Sequence, residues 1–440
     1  MRIIQSKDFD IYWKNALKKE DDLKTEEIVK EIIGAVQKEG DGAVRRYASR
    51  FDKSSPERLE VPVSEAKLAL KKLRENNPEL VSALELSGRH LKRFSEKQKE
   101  QFKNFEYEME EGLVTGQMVI PVQRAAVYIP GGRFPLFSSV LMCMIPAFCA
   151  GAEEVLLASP PANDGLPDRN ILAAAAVAAE ISCIADNALR IFSMGGAQAV
   201  AALALGTQSV PRADIIAGPG NRFVAAAKRI LFGKVGIDFI AGPSDVLIIS
   251  DNEGEKAADI IAADMLAQAE HDPDARGRAL AADKKFALQI AAAIERRLKE
   301  LPTELNARSS LENGGMIIVY NSREEAVKIA NTIAPEHLQL QTKDDESWIP
   351  LLKNFGSLFI GALSAEVLGD YSAGVNHTLP TETSSRYTGG LSVRNFLKTV
   401  TTLRCFPAEG FENARNAAEI IGRAEGLEAH AKAALARRIK

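Results

Sequence analysis

Hydrophobic positions change their spacing along this chain of 440 residues, and the changes divide it. Up to about residue 110, apolar residues recur every three or four places among many charges, which predicts helices. Phe9, Trp13 and Leu17 stand four apart and form one stripe, read as a packing or dimerising face. Glu26 to Phe51 and Ser64 to Glu100 repeat the amphipathic pattern. His90 lies among charges there and reads as an exposed helix residue rather than a ligand.

From Arg124 the pattern becomes short apolar runs, glycine turns and Ala-rich helices. Ala125–Ile129 reads as a strand stopped by Pro130-Gly131-Gly132, then come a helix over Ser138–Ala150 and a strand over Glu154–Ala158. Further strands are expected near Leu189–Ser193, Ala213–Ala217 and Gly236–Ile240, with helices between them. Alternation of this kind predicts a doubly wound parallel sheet. A second series runs from a strand at Val246–Ser250 to a strand at Gly356–Gly361 and predicts a second α/β unit. Leu363–Phe406 reads as a loop-dominated functional region, and Gly410–Lys440 as a helical tail.

A balance of 46% hydrophobic and 26% charged residues is that of a soluble protein of two or three units. The net charge of −4 gives no reason to expect nucleic acid or an anionic membrane as partner. No apolar run is long enough for a membrane span, and no signal peptide is read at the N-terminus, so a cytoplasmic location is expected. Cys143, Cys149, Cys183 and Cys405 lack CxxC spacing, and Cys143 and Cys149 read as core filler.

Candidate chemistry gathers at glycine turns and histidines. Gly218-Pro219-Gly220-Asn221 follows a strand and opens a helix, but Phe223 stands where a dinucleotide fingerprint has a small residue. It reads equally as an ordinary strand-to-helix turn. With the turns at Gly131 and Gly195-Gly196 it could gather helix N-termini at one sheet edge, holding an anionic nucleotide flanked by Tyr128, Gln198 and Asn221. Of five histidines, four lie in polar, motif-like settings: His271, His337, His377 and His430. Gln268 and His271 are three apart at a helix end and share a face. Imidazole suits zinc, whereas a Gln carbonyl is a weaker ligand, so such a site needs another His and a carboxylate. Glu336-His337 suits general acid–base work and reads equally as a surface pair. Asp370 offers a carboxylate on a loop, and Glu425 and His430 lie five apart on the last helix.

Over nearly its full length the chain resembles histidinol dehydrogenases. The resemblance is carried by Tyr-Ile-Pro-Gly-Gly (128–132), Ser-Ser-Val-Leu-Met (138–142), Gly-Gly-Ala-Gln-Ala (195–199), Gly-Pro-Gly-Asn (218–221) and Ile-Asp-Phe-Ile-Ala-Gly-Pro-Ser (237–244). It continues through Gln-Ala-Glu-His-Asp (268–272), Ala-Pro-Glu-His-Leu (334–338), Gly-Asp-Tyr (369–371), Asn-His-Thr-Leu-Pro-Thr (376–381) and Ala-Glu-Gly-Leu-Glu-Ala-His (424–430). It implies two Rossmann-like doubly wound units with a helical N-terminal segment (1–20) and a C-terminal tail (391–440). The NAD-binding unit would span 125–244. The unit with most catalytic and metal residues would combine 21–124 with 245–390. It also implies one zinc per site on Gln268, His271, Asp370 and His430, catalysis by Glu336 and His337, and NAD contacts from Tyr128, Gln198 and Asn221. Substrate contacts would come from Ser244, His377 and Glu425 together with the zinc and acid–base residues. The implied assembly is a homodimer whose tail serves the partner's site. The implied reaction is a four-electron oxidation of histidinol to histidine, through the aldehyde.

Two features resemble the related sulfopropanediol dehydrogenases: Arg133 after Pro130-Gly131-Gly132, and the run through Arg386-Tyr387 after Asn376–Thr381. An arginine fork suits a sulfonate and would repel the ammonium of histidinol. The same chemistry on a small sulfonated diol is therefore the alternative. Arg133 facing the cofactor's pyrophosphate or solvent is the plainer account. A zinc-stabilised dimerisation protein without activity is disfavoured by intact Glu336 and His337, and a zinc peptidase by the absence of HExxH.

Overall fold

The computed structural model describes residues 1–16, 23–131, 135–240 and 242–439. In chain order, β1 (Arg2–Gln5) leads to α1 (Phe9–Ala16), α2 (Leu23–Glu39) and α3 (Asp41–Phe51). β2 (Glu60–Val61), α4 (Val63–Asn76) and α5 (Pro78–Lys99) precede a hairpin of β3 (Phe105–Glu110) and β4 (Leu113–Pro121). Strand and helix then alternate through β5 (Arg124–Tyr128), α6 (Phe137–Ala150), β6 (Glu154–Ser159), α7 (Arg169–Ser182) and β7 (Leu189–Ser193). They continue through α8 (Gly196–Leu205), β8 (Ile215–Ala217), α9 (Arg222–Leu231) and β9 (Gly236–Ile237). The second series holds β10 (Asp245–Ser250), α10 (Glu255–Ala269), β11 (Arg276–Ala281), α11 (Lys284–Leu298), α12 (Glu304–Asn313) and β12 (Met316–Val319). It ends with α13 (Arg323–Ile333), β13 (His337–Gln341), β14 (Ser357–Ile360) and α14 (Glu366–Tyr371). Last come β15 (Leu397–Cys405), α15 (Glu409–Ala424) and α16 (Glu428–Leu435).

Two six-stranded sheets result. The first is ordered β2-β7-β6-β5-β8-β9, parallel except for β2. The second is ordered β1-β12-β11-β10-β13-β14 and wholly parallel. Their central strands are apolar at almost every position because helices cover both faces. A small antiparallel sheet, β15-β4-β3, carries the tail.

The expected α/β class stands, with three differences in detail. The chain starts with a strand: Arg2–Gln5 pairs with Met316–Val319 and becomes the edge of the second sheet. Residues 21–124, expected to join 245–390, contribute α2–α5 to the first sheet instead. Val29, Ile32 and Val36 of α2 pack with Val200 and Leu203 of α8, while Leu70 and Leu84 join the core of α6 and α7. An amphipathic stripe states that a helix is covered, but not by which sheet. The third difference is the region after Leu363, which holds α14 and the nine-residue β15 rather than loop alone. Phe9 and Trp13 do form a packing face, stacked 5.7 Å apart on the second sheet's core. Leu17 lies outside the described residues.

The turn after β8 is clamped from below. Gly218 sits at φ +115°, and a Cβ there would fall 2.1 Å from the Tyr128 carbonyl oxygen, so only glycine fits. Its N–H donates to Asp238 Oδ2 at 2.8 Å, and its carbonyl accepts from Lys228 Nζ at 3.1 Å. Lys228 and Asp238, both buried, also pair directly. Lys228→Met would leave that carboxylate uncompensated, and breaking such a pair costs about 3–5 kcal/mol. The expected readout is a urea midpoint lowered by that loss divided by the slope, with the slope itself unchanged.

Candidate active site

The chemistry-bearing residues of the second unit lie where its strands begin. Asp245 opens β10, and His337 opens β13 directly after Glu336. Val246 registers with His337, and His337 with Ser357 of β14. Because α10 runs back between the parallel strands β10 and β11, its C-terminal end returns Gln268 to the same edge.

Asp245 holds the pair in place. Its N–H donates to Glu336 Oε2 at 3.1 Å, and its Oδ1 accepts from the Glu336 N–H at 2.9 Å. Its carbonyl lies 3.3 Å from His337 Nδ1. The Nδ1 proton belongs on that contact, which leaves Nε2 as the lone-pair nitrogen. Arg278, also buried, donates to Asp245 Oδ2 at 3.1 Å. Over this pair lies α14. Glu366 Oε1 is 3.6 Å from His337 Nδ1, and Asp370 Oδ1 is 3.7 Å from His337 Nε2. Gly369 permits the approach, since a Cβ there would fall 2.6 Å from the Phe359 ring.

Burial governs the protonation of this group. It raises Glu336 well above the ordinary carboxylate range, with the Asp245 charge adding to it and Ser244's hydroxyl opposing it. It raises Glu366 likewise, with Asp370 and Glu336 adding, and takes Asp370 up to about 7. It pushes His337 down to about 3, helped by the neighbouring His377 and His271. Four buried carboxylates at one spot, Asp245, Glu336, Glu366 and Asp370, call for a cation.

The donor atoms fit one. Ligand atoms of His337, Glu366 and Asp370 lie within 4.8 Å of one another. Gln268 Oε1, His337 Nε2 and Glu366 Oε2 are buried acceptors without a hydrogen-bond partner. Of the expected ligands, Gln268 and Asp370 thus come to this edge, on α10 and α14, which pack together. His271 follows just past the end of α10 and is exposed. Glu425 and His430 are exposed on the tail, at the junction of α15 and α16, and α15 packs on β3 and β4 of the small sheet. Glu366 went unnoticed as a candidate in the sequence, although Glu366 and Asp370 are four apart and share a helix face.

The two units meet at residues 372–381. Asn376 Nδ2 donates to the Met142 carbonyl of α6 at 2.6 Å, and Thr381 Oγ1 accepts from Gly242 N–H at 2.5 Å. His377 Nδ1 is 2.8 Å from the Asp370 carbonyl and Nε2 is 2.9 Å from Ser139 Oγ, so both ring nitrogens are engaged. His90, expected to be exposed, instead anchors this segment through Nδ1, 2.8 Å from the Ser372 carbonyl. Cys143 is buried and its thiol is pushed up to about 12, which suits core filler.

Tyr128, Gln198 and Asn221 line the opposite kind of edge, the C-terminal ends of β5, β7 and β8. The reversal of strand order between β5 and β8 makes this the crevice where nucleotides bind in such sheets. The helix starts there are partly occupied by the chain's own side chains. Asn221 Oδ1 takes the N–H groups of Phe223 and Val224, and Tyr128 Oη takes the Gly196 N–H at 3.0 Å. The crevice offers polar side chains instead.

The family model for histidinol dehydrogenase matches residues 15–438. The chain belongs to the histidinol dehydrogenase family. Histidinol dehydrogenase of Aquifex aeolicus is 41% identical over 415 residues, 94% of this chain and 92% of that one. That of Thermus thermophilus is 42% identical over 412 residues, 93% of this chain and 94% of the relative. The crystal structure of histidinol dehydrogenase from Elizabethkingia anophelis superimposes with a TM-score of 0.87 at 34% identity, covering 97% of this chain and 95% of that one. Membership carries the enzyme class, an oxidoreductase. Among the described residues, no helix is long and apolar enough to cross a membrane.

Of the two arginines that suggested a sulfonated substrate, Arg386 is spent elsewhere. Its guanidinium donates to the carbonyls of Asn331 and Thr332 at 3.0 and 2.9 Å, capping the C-terminus of α13. Arg133 lies outside the described residues.

The raised Asp370 has a consequence for stability. Its folded value of about 7, against an ordinary 3.8, gives stability that is full below the lower value and lost as pH rises through the upper one. A bound cation favours the carboxylate and reverses this. The melting temperatures of chelated and zinc-loaded protein should therefore diverge as pH rises from about 4 to about 7 and stay apart above that. A gap independent of pH would place the ion away from Asp370.

Proposed function

We propose that the protein oxidises L-histidinol to L-histidine through the aldehyde, reducing two NAD+ in succession at a site completed by one zinc ion. The observation that carries this reading is the Glu336–His337 pair, bracketed by Asp245 with His337 Nε2 unpartnered beside Asp370. When bound, zinc supplies Lewis-acid polarisation of the substrate oxygen and NAD+ accepts the hydride.

This chain's residues do the rest. Gln268, His271 and Asp370 would hold the metal with His430 of the other protomer. His337 is neutral at physiological pH because burial disfavours its charge, so Nε2 is free to take the alcohol proton. The Asp245 carbonyl fixes the tautomer that exposes this nitrogen. Glu336 serves the second half: water adds to the aldehyde carbon, and the carboxylate takes its proton. Its raised pKa makes it a stronger base, and the step should quicken as pH rises through that value. Buried carboxylates favour a cationic substrate such as an amino alcohol over an anionic diol.

Assembly as a homodimer is part of the reading. The small sheet and tail expose Phe105, Tyr107, Met109, Leu403, Ile420 and Ile421, an apolar face suited to a second copy. Glu425 and His430 lie on the same tail.

Glu336→Gln keeps shape and removes the base. Aldehyde oxidation should fall about 10²- to 10⁴-fold while alcohol oxidation falls less. NADH per histidinol would then drop from two toward one as aldehyde accumulates. Unchanged aldehyde turnover in the variant would remove Glu336 from this role.

A further inference from the structure

We propose that Asp52 selects the cofactor: its carboxylate accepts the adenosine ribose hydroxyls, so that NAD is bound and its 2′-phosphorylated form is refused. This rests on the reading of Tyr128, Gln198 and Asn221 as nucleotide contacts.

The first observation is positional. In a doubly wound sheet the adenosine ribose meets an acid near the end of the strand beside the switch strand. Here that strand is β6, next to β5, and it ends in Ser159-Pro160-Pro161; the first carboxylate beyond it, Asp164, is paired with Arg169 at 2.7 Å. The segment after α3 crosses this end instead. Ser54 Oγ donates to the Ala162 carbonyl at 2.7 Å, just beyond β6. A Cβ built on Gly195 would meet Pro160 Cγ at 2.6 Å and Asp52 Oδ1 at 2.8 Å. Asp52 thus supplies, from a distant part of the chain, the acid that β6 lacks.

The second observation is chemical. Asp52 Oδ2 accepts from Gln198 Nε2 at a long 3.4 Å, and the carboxylate also takes the Gly195 N–H. A carboxylate has about four acceptor positions, so capacity remains for a pair of hydroxyls. The first N–H of α8, that of Gly196, is already given to Tyr128. A 2′-phosphate here would meet a negative charge in a half-buried setting, where repulsion is poorly screened. A diol would meet an acceptor. Asp52 is not merely a brace for the Gly195 turn in this account, and the two roles separate by experiment: a brace affects both dinucleotides alike.

The test is fluorescence titration of NADH and of NADPH into the full-length, zinc-loaded protein, for the wild type and Asp52→Asn. The wild type should bind NADH more tightly than NADPH. In the variant the ratio of the two affinities should shift toward NADPH by roughly 10- to 100-fold, the range for a hydrogen bond to a charged group. Asp52→Ser, which also removes the charge, serves if the amide variant does not fold. Equal weakening of both nucleotides, an unchanged ratio, or equal binding by the wild type overturns the proposal while leaving the NAD reading intact. Failure of the wild type to bind either nucleotide overturns that reading itself, and this proposal with it.

Discussion

Asp245 and Glu336 hold each other through both backbone and side chain, and the candidate site hangs on that double contact. Each N–H donates to the other's carboxylate, at 3.1 and 2.9 Å, so neither side chain can turn without stranding a buried donor. Because β10 and β13 are neighbours in register, the contact costs no loop closure beyond the sheet itself. Burying two carboxylates side by side is unfavourable, and Arg278 offsets part of the cost from β11. Trp13 in turn covers the guanidinium, its ring centroid 5.5 Å away, which ties the N-terminal stripe to the chemistry.

The two sheets face the reaction with opposite ends. The first presents strand C-termini with their glycine turns, the edge proposed for the nucleotide. The second presents strand N-termini, where Asp245 and His337 sit at first positions rather than last. The two edges are close along the chain: Asp238 clamps the Gly218 turn, and Ser244 adjoins Asp245. The segment 372–381 closes the other side by bonding to α6.

Much of this was legible in the sequence because it is local. Ala125–Ile129 followed by glycine reads as a strand feeding a turn, and Gln268 with His271 reads as one face at a helix end. What was not legible is assignment between distant parts. The stripe of α2 is equally compatible with either sheet, and its match to α8 depends on shapes formed only in three dimensions. The strand Arg2–Gln5 is too short to announce itself. Glu366 was hidden because Gly, Ser and Thr around it suggest loop, whereas Gly369 is there to let α14 touch Phe359. Asp52 was hidden for the same reason as α2, since it reaches the β6 end from outside the strand series.

The cluster's charge also explains why a stable fold would tolerate it. Without a cation, burial favours the protonated forms of Glu336, Glu366 and Asp370 and the neutral form of His337. In that state the cluster is a set of neutral hydrogen-bonding groups, which a protein interior accepts at modest cost. A dication bound there would lower the carboxyl pKa values and take Asp370 as a ligand. Loading such a site and charging it would be one event. Glu336, bonded to the Asp245 backbone rather than placed to chelate, would remain the group whose proton is still negotiable, and a base for activating water needs that freedom.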